Sequence, residues 1–152
     1  MKKNLCRFNS VLISISLLLI ISATTQAQEK SLYERLGGYE AISAVIDDFA
    51  ERLFADPVVG KRFFGMSKDS RDGFKQKNKN LVCAVTGGPC KVISRDAKTT
   101  HAGLGIKASE FDIVAKHLTD VLNKFKVPKK EFDELMAIIA KLRPDIVEKE
   151  GQ

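Results

Sequence analysis

Apolar residues recur every three or four positions through most of the chain, and nowhere do they alternate over a strand-length run, so the periodicity is helical throughout. From Tyr39 to Asp56, the residues Ala41, Ile42, Val45, Ile46, Phe49, Leu53 and Phe54 share one helical face, and Pro57 ends the helix. Gly37 and Gly38 set it apart from a short helix around Leu32–Leu36. Further on, Ser109 reads as the cap of a helix with Asp112 three residues later and the stripe Phe111, Val114, Leu118, Val121, Leu122 and Phe125. Pro128 starts the last helix, which carries Phe132, Leu135, Met136, Ile139 and Leu142 until Pro144. The short link between these two long helices predicts antiparallel packing. Between Ser67 and Ile106 the pattern is less regular: a helix to about Thr86, a Gly87-Gly88-Pro89 break, and a loop-rich stretch ending in Thr-Thr-His-Ala-Gly-Leu-Gly. The fold class is all-α.

The first 27 residues have a different character. Lys2, Lys3 and Arg7 precede the apolar run VLISISLLLII from Val11 to Ile21, and Ser, Ala, Thr and Gln follow at once. An 11-residue run is too short to span a bilayer as a helix, which takes about 20 residues. Small residues in Thr25-Gln26-Ala27 suit a signal peptidase, so residues 1–27 read as a signal peptide cleaved after Ala27, against the alternative of an uncleaved anchor. Cys6 precedes the apolar run and is no lipidation site. The mature domain is then residues 28–152, with no membrane association after cleavage, in an oxidising compartment such as the periplasm.

This changes the reading of charge. The full chain of 152 residues has 25 Lys and Arg against 19 Asp and Glu, a net of +6; losing the three leader cations leaves 22 against 19, or +3. The remaining cations are scattered with acids along helical segments, without a basic block interleaved with aromatics, which argues against a nucleic-acid surface. The mature length predicts one domain.

Only two histidines occur, His101 and His117. His117 lies inside the Ser109 helix beside Leu118 with no partner ligand near it in sequence, and reads as a surface or packed residue. His101 precedes Gly103 and Gly105, which let the backbone turn sharply, as suits a side chain presented from a constrained loop or a single helical turn. Taken alone, such a histidine is ordinarily structural. No second His, Cys pair or carboxylate cluster stands at zinc spacing, so a metal here would bring most of its own ligands, as a porphyrin does.

The run Ser31-Leu-Tyr-Glu-Arg-Leu-Gly-Gly38, Phe49, Arg62-Phe63-Phe64, Thr86-Gly-Gly-Pro89 and His101-Ala-Gly-Leu-Gly-Ile106 resembles a truncated haemoglobin of the first group, over essentially all of residues 31–147. The resemblance implies a shortened globin, two helices crossed over two in a sandwich around one haem b (iron protoporphyrin IX) per chain. It implies His101 as the proximal ligand, its other ring N–H held by a nearby backbone carbonyl. Covalent c-type attachment is excluded by the absence of Cys-x-x-Cys-His. Phe49, Phe63 and Phe64 are candidates for the wall against the haem face, and equally for ordinary core.

Two registers compete for the distal helix. Counting forward from Phe64 places Gln76 over the iron but turns Lys79 toward the porphyrin, a costly burial. Counting back from Gly87-Gly88 instead aligns Phe74, Asn78, Leu81, Val82 and Val85 on one face. In this preferred register Asn78 is the distal hydrogen-bond donor, Lys77 sits at the rim beside a haem propionate, and Gln76 faces solvent. Lys75 or Asn78 closing the sixth coordination position is a further reading. The chain departs from the family after Phe49, where Ala50 stands in place of a common tyrosine, so one neutral hydrogen bond would hold oxygen.

The expected function is reversible binding of a diatomic gas, O2, NO or CO. The alternative is a haem enzyme for NO dioxygenation or peroxide detoxification served by an external reductase, since no G-x-G-x-x-G fingerprint is present. A haem-free interaction module is the third reading. Cys83 and Cys90 flank the Gly87-Gly88-Pro89 turn and stand either as a disulfide pair or as a buried and a loop thiol.

Overall fold

A computed structural model describes residues 29–150. The leader expected at residues 1–27 lies outside the described residues. The helices are α1 (Leu32–Arg35), α2 (Gly38–Ala55), α3 (Lys68–Val85), α4 (Ala97–His101), α5 (Ala108–Lys124), α6 (Lys129–Ala140) and α7 (Arg143–Ile146), with a 3-10 turn at Val59–Phe63. No strand occurs among the described residues, where the only bridge pairs Lys107 with Lys149.

The α2 stripe makes the centre of the molecule. Ile42, Val45, Ile46, Phe49 and Leu53 are buried and join Val82 of α3, Leu118, Val121 and Leu122 of α5, and Leu135 of α6 in one core. Helix α2 packs against both α3 and α5, α1 lies on α6, and α4 on α7. Arg35 fastens α1 to α6 through a 2.6 Å ion pair with the buried Glu131 and a second one with Glu134. A carboxylate so buried is tolerated because it is paired and hydrogen-bonded.

The helix ends depart from expectation in three places. Helix α5 begins at Ala108, with Lys107 as the cap residue; the Glu110 carboxylate accepts from Lys107 N at 2.9 Å, so the acid closing the box is Glu110 and Ser109 is already helical. Helix α6 stops at Ala140, and Pro144 lies in the first turn of α7, where a missing N–H costs nothing. Val85, last of the expected α3 stripe, is 39% exposed, because the helix terminates there and the chain turns away at Thr86.

Gly88 is required by close approach. A Cβ there would stand 2.5 Å from Tyr33 Cδ2 and 2.7 Å from the Cys83 carbonyl oxygen. Tyr33 N donates to Thr86 O at 2.8 Å, so the end of α3 is seated on α1. Cys83 and Cys90 form a disulfide across this turn, with Cα atoms 5.8 Å apart. The bond ties the end of α3 to the segment leading to α4.

Candidate haem pocket

A cavity of about 780 Å3 opens between α2 and α3 on one side and α4, α5 and the C-terminal helices on the other. That volume lies within the roughly 300–1,000 Å3 of small-molecule and cofactor sites. Its wall is mainly aliphatic and aromatic, including Ile46, Phe49, Leu53, Phe63, Phe74 and Leu81.

His101 faces this cavity from the last position of α4. Asp96 caps that short helix, its carboxylate accepting from Thr99 N at 2.7 Å, which holds the Asp96 carboxyl below the usual range. The His101 Nδ1 stands 2.7 Å from Ala97 O one turn earlier. A carbonyl accepts only, so Nδ1 carries a proton, and in the neutral ring Nε2 is then the nitrogen with a free lone pair to ligate a metal.

On the opposite wall, α3 turns Phe74, Lys77, Asn78, Leu81 and Val82 into the cavity. This is the register counted back from the glycine pair. Gln76 instead faces solvent and donates from Nε2 to Tyr39 Oη at 2.6 Å and to Asn80 Oδ1 at 2.9 Å. Lys79 pairs with Asp47 at 2.9 Å and Lys75 with Glu51 at 2.5 Å, so both are turned toward α2. Lys75 is off the cavity lining, and the hydrogen bond to Glu51 holds its pKa above the usual lysine value. Asn78 donates one amide N–H to Phe74 O at 2.9 Å, which leaves the second N–H unspent. Ala50 is fully buried and lies off the cavity wall.

Of the three aromatic wall candidates near the 3-10 turn, Phe49 and Phe63 line the cavity and Phe64 does not. Phe64 is 93% exposed. Its neighbour Phe63 takes the inward place, edge-on to Phe54 and Phe74 with ring centroids 5.2 Å from each, and the backbone becomes extended at Phe64, sending that ring outward.

The mouth carries Lys77 and Arg95, both exposed and both on the lining. Also on the lining, Arg62 grips Glu110 with two parallel bonds, Nε to Oε1 at 2.7 Å and Nη2 to Oε2 at 2.6 Å. This fork, with the bond from Lys107 N, lowers the Glu110 carboxyl to about 2. Neither Arg62 nor Glu110 was legible as a site residue, since the pair meets across 48 positions of chain. His117 lies outside the cavity, its Nε2 2.8 Å from the Asp56 carboxylate, which also accepts from Val58 N and Val59 N and caps the 3-10 turn. That bond, first among its contacts, lowers the Asp56 carboxyl.

The site suits a group that supplies its own equatorial ligands. Among the described residues no three His, Cys, Asp or Glu side chains gather to hold a bare metal ion. What the cavity offers is one imidazole nitrogen, a flat apolar interior, and two cations at the mouth for the carboxylates of a porphyrin. Both cysteines of the domain are consumed by the disulfide, so neither is free to bond the group covalently. A helical fold with this pocket defines a globin.

The family model for bacterial-like globins matches residues 31–148. A group 1 truncated haemoglobin of Mycolicibacterium paratuberculosis is 33% identical over 127 residues, covering 84% of this chain and 91% of that protein. Among solved structures, THB1 of Chlamydomonas reinhardtii is 31% identical with a TM-score of 0.64, covering 79% of this chain and 98% of its own. A 2/2 haemoglobin of Synechococcus, solved in the cyanomet state with covalently attached haem, is 25% identical with a TM-score of 0.71, over 79% of this chain and 100% of that one. The chain belongs to the bacterial-like globins, as a group 1 truncated haemoglobin with the 2-over-2 fold. It is a haem-binding globin whose ligand is a diatomic gas.

Proposed function

We propose that the mature chain, residues 28–152, works outside the cytoplasm after cleavage of residues 1–27, and that it binds and releases gas at a haem iron held by His101 Nε2. The observation that carries this reading is the His101 ring itself: it is the one histidine lining an apolar cavity of about 780 Å3, with its other nitrogen bonded to Ala97 O. Haem supplies a ferrous iron with one open position for O2, NO or CO. His101 would hold the iron through Nε2, its tautomer set by the bond to Ala97 O. Asn78 would offer its one free N–H to the bound gas, and Phe49, Phe63 and Phe74 would keep water from the group. Lys77 and Arg95, exposed on the lining, would pair with its carboxylates.

Binding rather than turnover is the role these residues favour. Peroxide chemistry calls for a distal acid–base group, and among the described residues α2 and α3 bring no His, Asp or Glu to the cavity wall. Two measurements test the reading: the N-terminal residue of the protein recovered from the periplasm of an expressing Gram-negative cell, expected at Gln28, and a haem titration followed at the Soret band, expected to saturate at one per chain. An intact N-terminus on a cytoplasmic product would refute export, and absence of saturable uptake would refute the pocket.

A further inference from the structure

His101 sits on a support that cannot hold it alone. Helix α4 has five residues and none is buried. Directly after it the chain runs through a turn with Gly103 at φ +78° and Gly105 at φ +60°, conformations open mainly to glycine. Such a segment would move freely unless tied, and it is tied from two sides by side chains of complementary polarity. From the 3-10 turn, Arg62 donates Nη1 to Leu104 O at 2.8 Å and Nη2 to Gly105 O at 3.4 Å, while Glu110 aligns the guanidinium. From the chain end, Glu148 accepts from Gly103 N and, at 2.5 Å, from Gly105 N. Glu148 is itself held, because its own N–H and that of Lys149 both donate to Ile106 O, at 2.9 and 3.1 Å. Arginine therefore takes the carbonyls of the turn and glutamate takes its amides.

We propose that Arg62 and Glu148 are positioning residues for His101: by clamping the Gly103–Gly105 turn from opposite sides they fix the reach and angle of the imidazole toward the iron, and thereby set how tightly haem is retained. The proposal rests on the reading of His101 as the iron ligand. Glu148 lies off the cavity wall, and Arg62, although on the lining, holds the backbone that carries the ligand; both are positioning residues. Groups that orient a metal-binding histidine typically alter metal affinity or activity by about 10–100-fold when removed.

The test uses the mature holoprotein and the variants Glu148→Ala, Glu148→Gln, Arg62→Met and Arg143→Ala. Arg143 pairs with Asp112 and Glu150 and bonds to no atom of the turn, so it controls for loss of a nearby ion pair. Two quantities are read: the rate of haem transfer to excess apomyoglobin, and the iron–histidine stretching band of the ferrous protein by resonance Raman. Glu148→Ala and Arg62→Met are expected to speed haem loss at least about 10-fold and to shift or broaden the band. Glu148→Gln keeps one acceptor oxygen and should fall between, which keeps the proposal testable should the alanine variant fail to fold. Arg143→Ala should match the wild type in both. An unmoved band with haem loss within twofold of wild type overturns the proposal, as does a lowered melting temperature with an unmoved band. Failure of the His101 reading is distinct: His101→Ala would then keep the wild-type band.

Discussion

The distal side of the pocket rests on one amide, and replacing Asn78 by leucine isolates what that amide does. Leucine closely matches asparagine in shape, so the cavity wall is retained while both N–H groups are removed. The N–H given to Phe74 O is not critical to the helix, because that carbonyl also accepts the ordinary backbone bond within α3. What disappears is the second N–H, the donor available to a polarised gas. A neutral hydrogen bond contributes about 1 kcal/mol net, a factor of about 5 at room temperature. Ala50 cannot substitute, since it is buried, lacks a donor and lies off the wall. Oxygen release from Asn78→Leu, measured by stopped-flow displacement with CO, should therefore quicken about fivefold. Release of CO, a poor hydrogen-bond acceptor, measured by displacement with NO, should change by less than twofold. An unchanged oxygen rate would refute Asn78 as the donor, and equal acceleration of both gases would show a steric effect instead.

Two further outcomes follow from the charges and the disulfide. Glu110 falls from 4.5 to about 2 on folding, so its stabilisation is complete above the unfolded value and is lost as pH drops from about 4.5 toward 2. At about 1.4 kcal/mol per unit the ceiling is roughly 3 kcal/mol, and solvent reaching Arg62 lowers it. Urea unfolding of wild type and Glu110→Gln should therefore differ by about 1–2 kcal/mol at pH 7 and converge as pH falls below about 4; a constant difference would contradict the ion-pair origin. The disulfide closes a short loop, and its removal in Cys83→Ser/Cys90→Ser should cost about 2.5 kcal/mol by the chain-entropy relation, read as a lower urea midpoint. Two free thiols on the denatured, unreduced mature protein would contradict the bond itself.

The chain shows unevenly how much of such a site local pattern can carry. That Asn78 and Lys77 line the cavity was legible because a helix resting on an apolar surface must repeat its contacts at three and four, and the Gly87-Gly88 break fixed where to count from. His101 stood out through its glycines and through the family resemblance, and the partner for its second nitrogen was the kind of group expected, a backbone carbonyl. Phe63 and Phe64 show the limit. Nothing in two adjacent phenylalanines says which one the end of a 3-10 turn will send inward. Arg62, Glu110 and Glu148 were out of reach for another reason: their contacts join segments more than 40 residues apart, and ion pairs between distant helices leave no periodic trace. The start of α5 turned on which acid closes the cap, and Glu110 with Lys107 closes it two residues earlier than Ser109 with Asp112 suggested.

The central claim, that His101 Nε2 is the protein's ligand to the iron, is tested most directly by supplying that nitrogen from outside. In His101→Gly reconstituted with haem, the ferrous optical spectrum should lose its wild-type form and regain it on addition of free imidazole, which occupies the space the side chain has left. A His101→Gly protein that keeps the wild-type five-coordinate ferrous spectrum without imidazole would contradict the account.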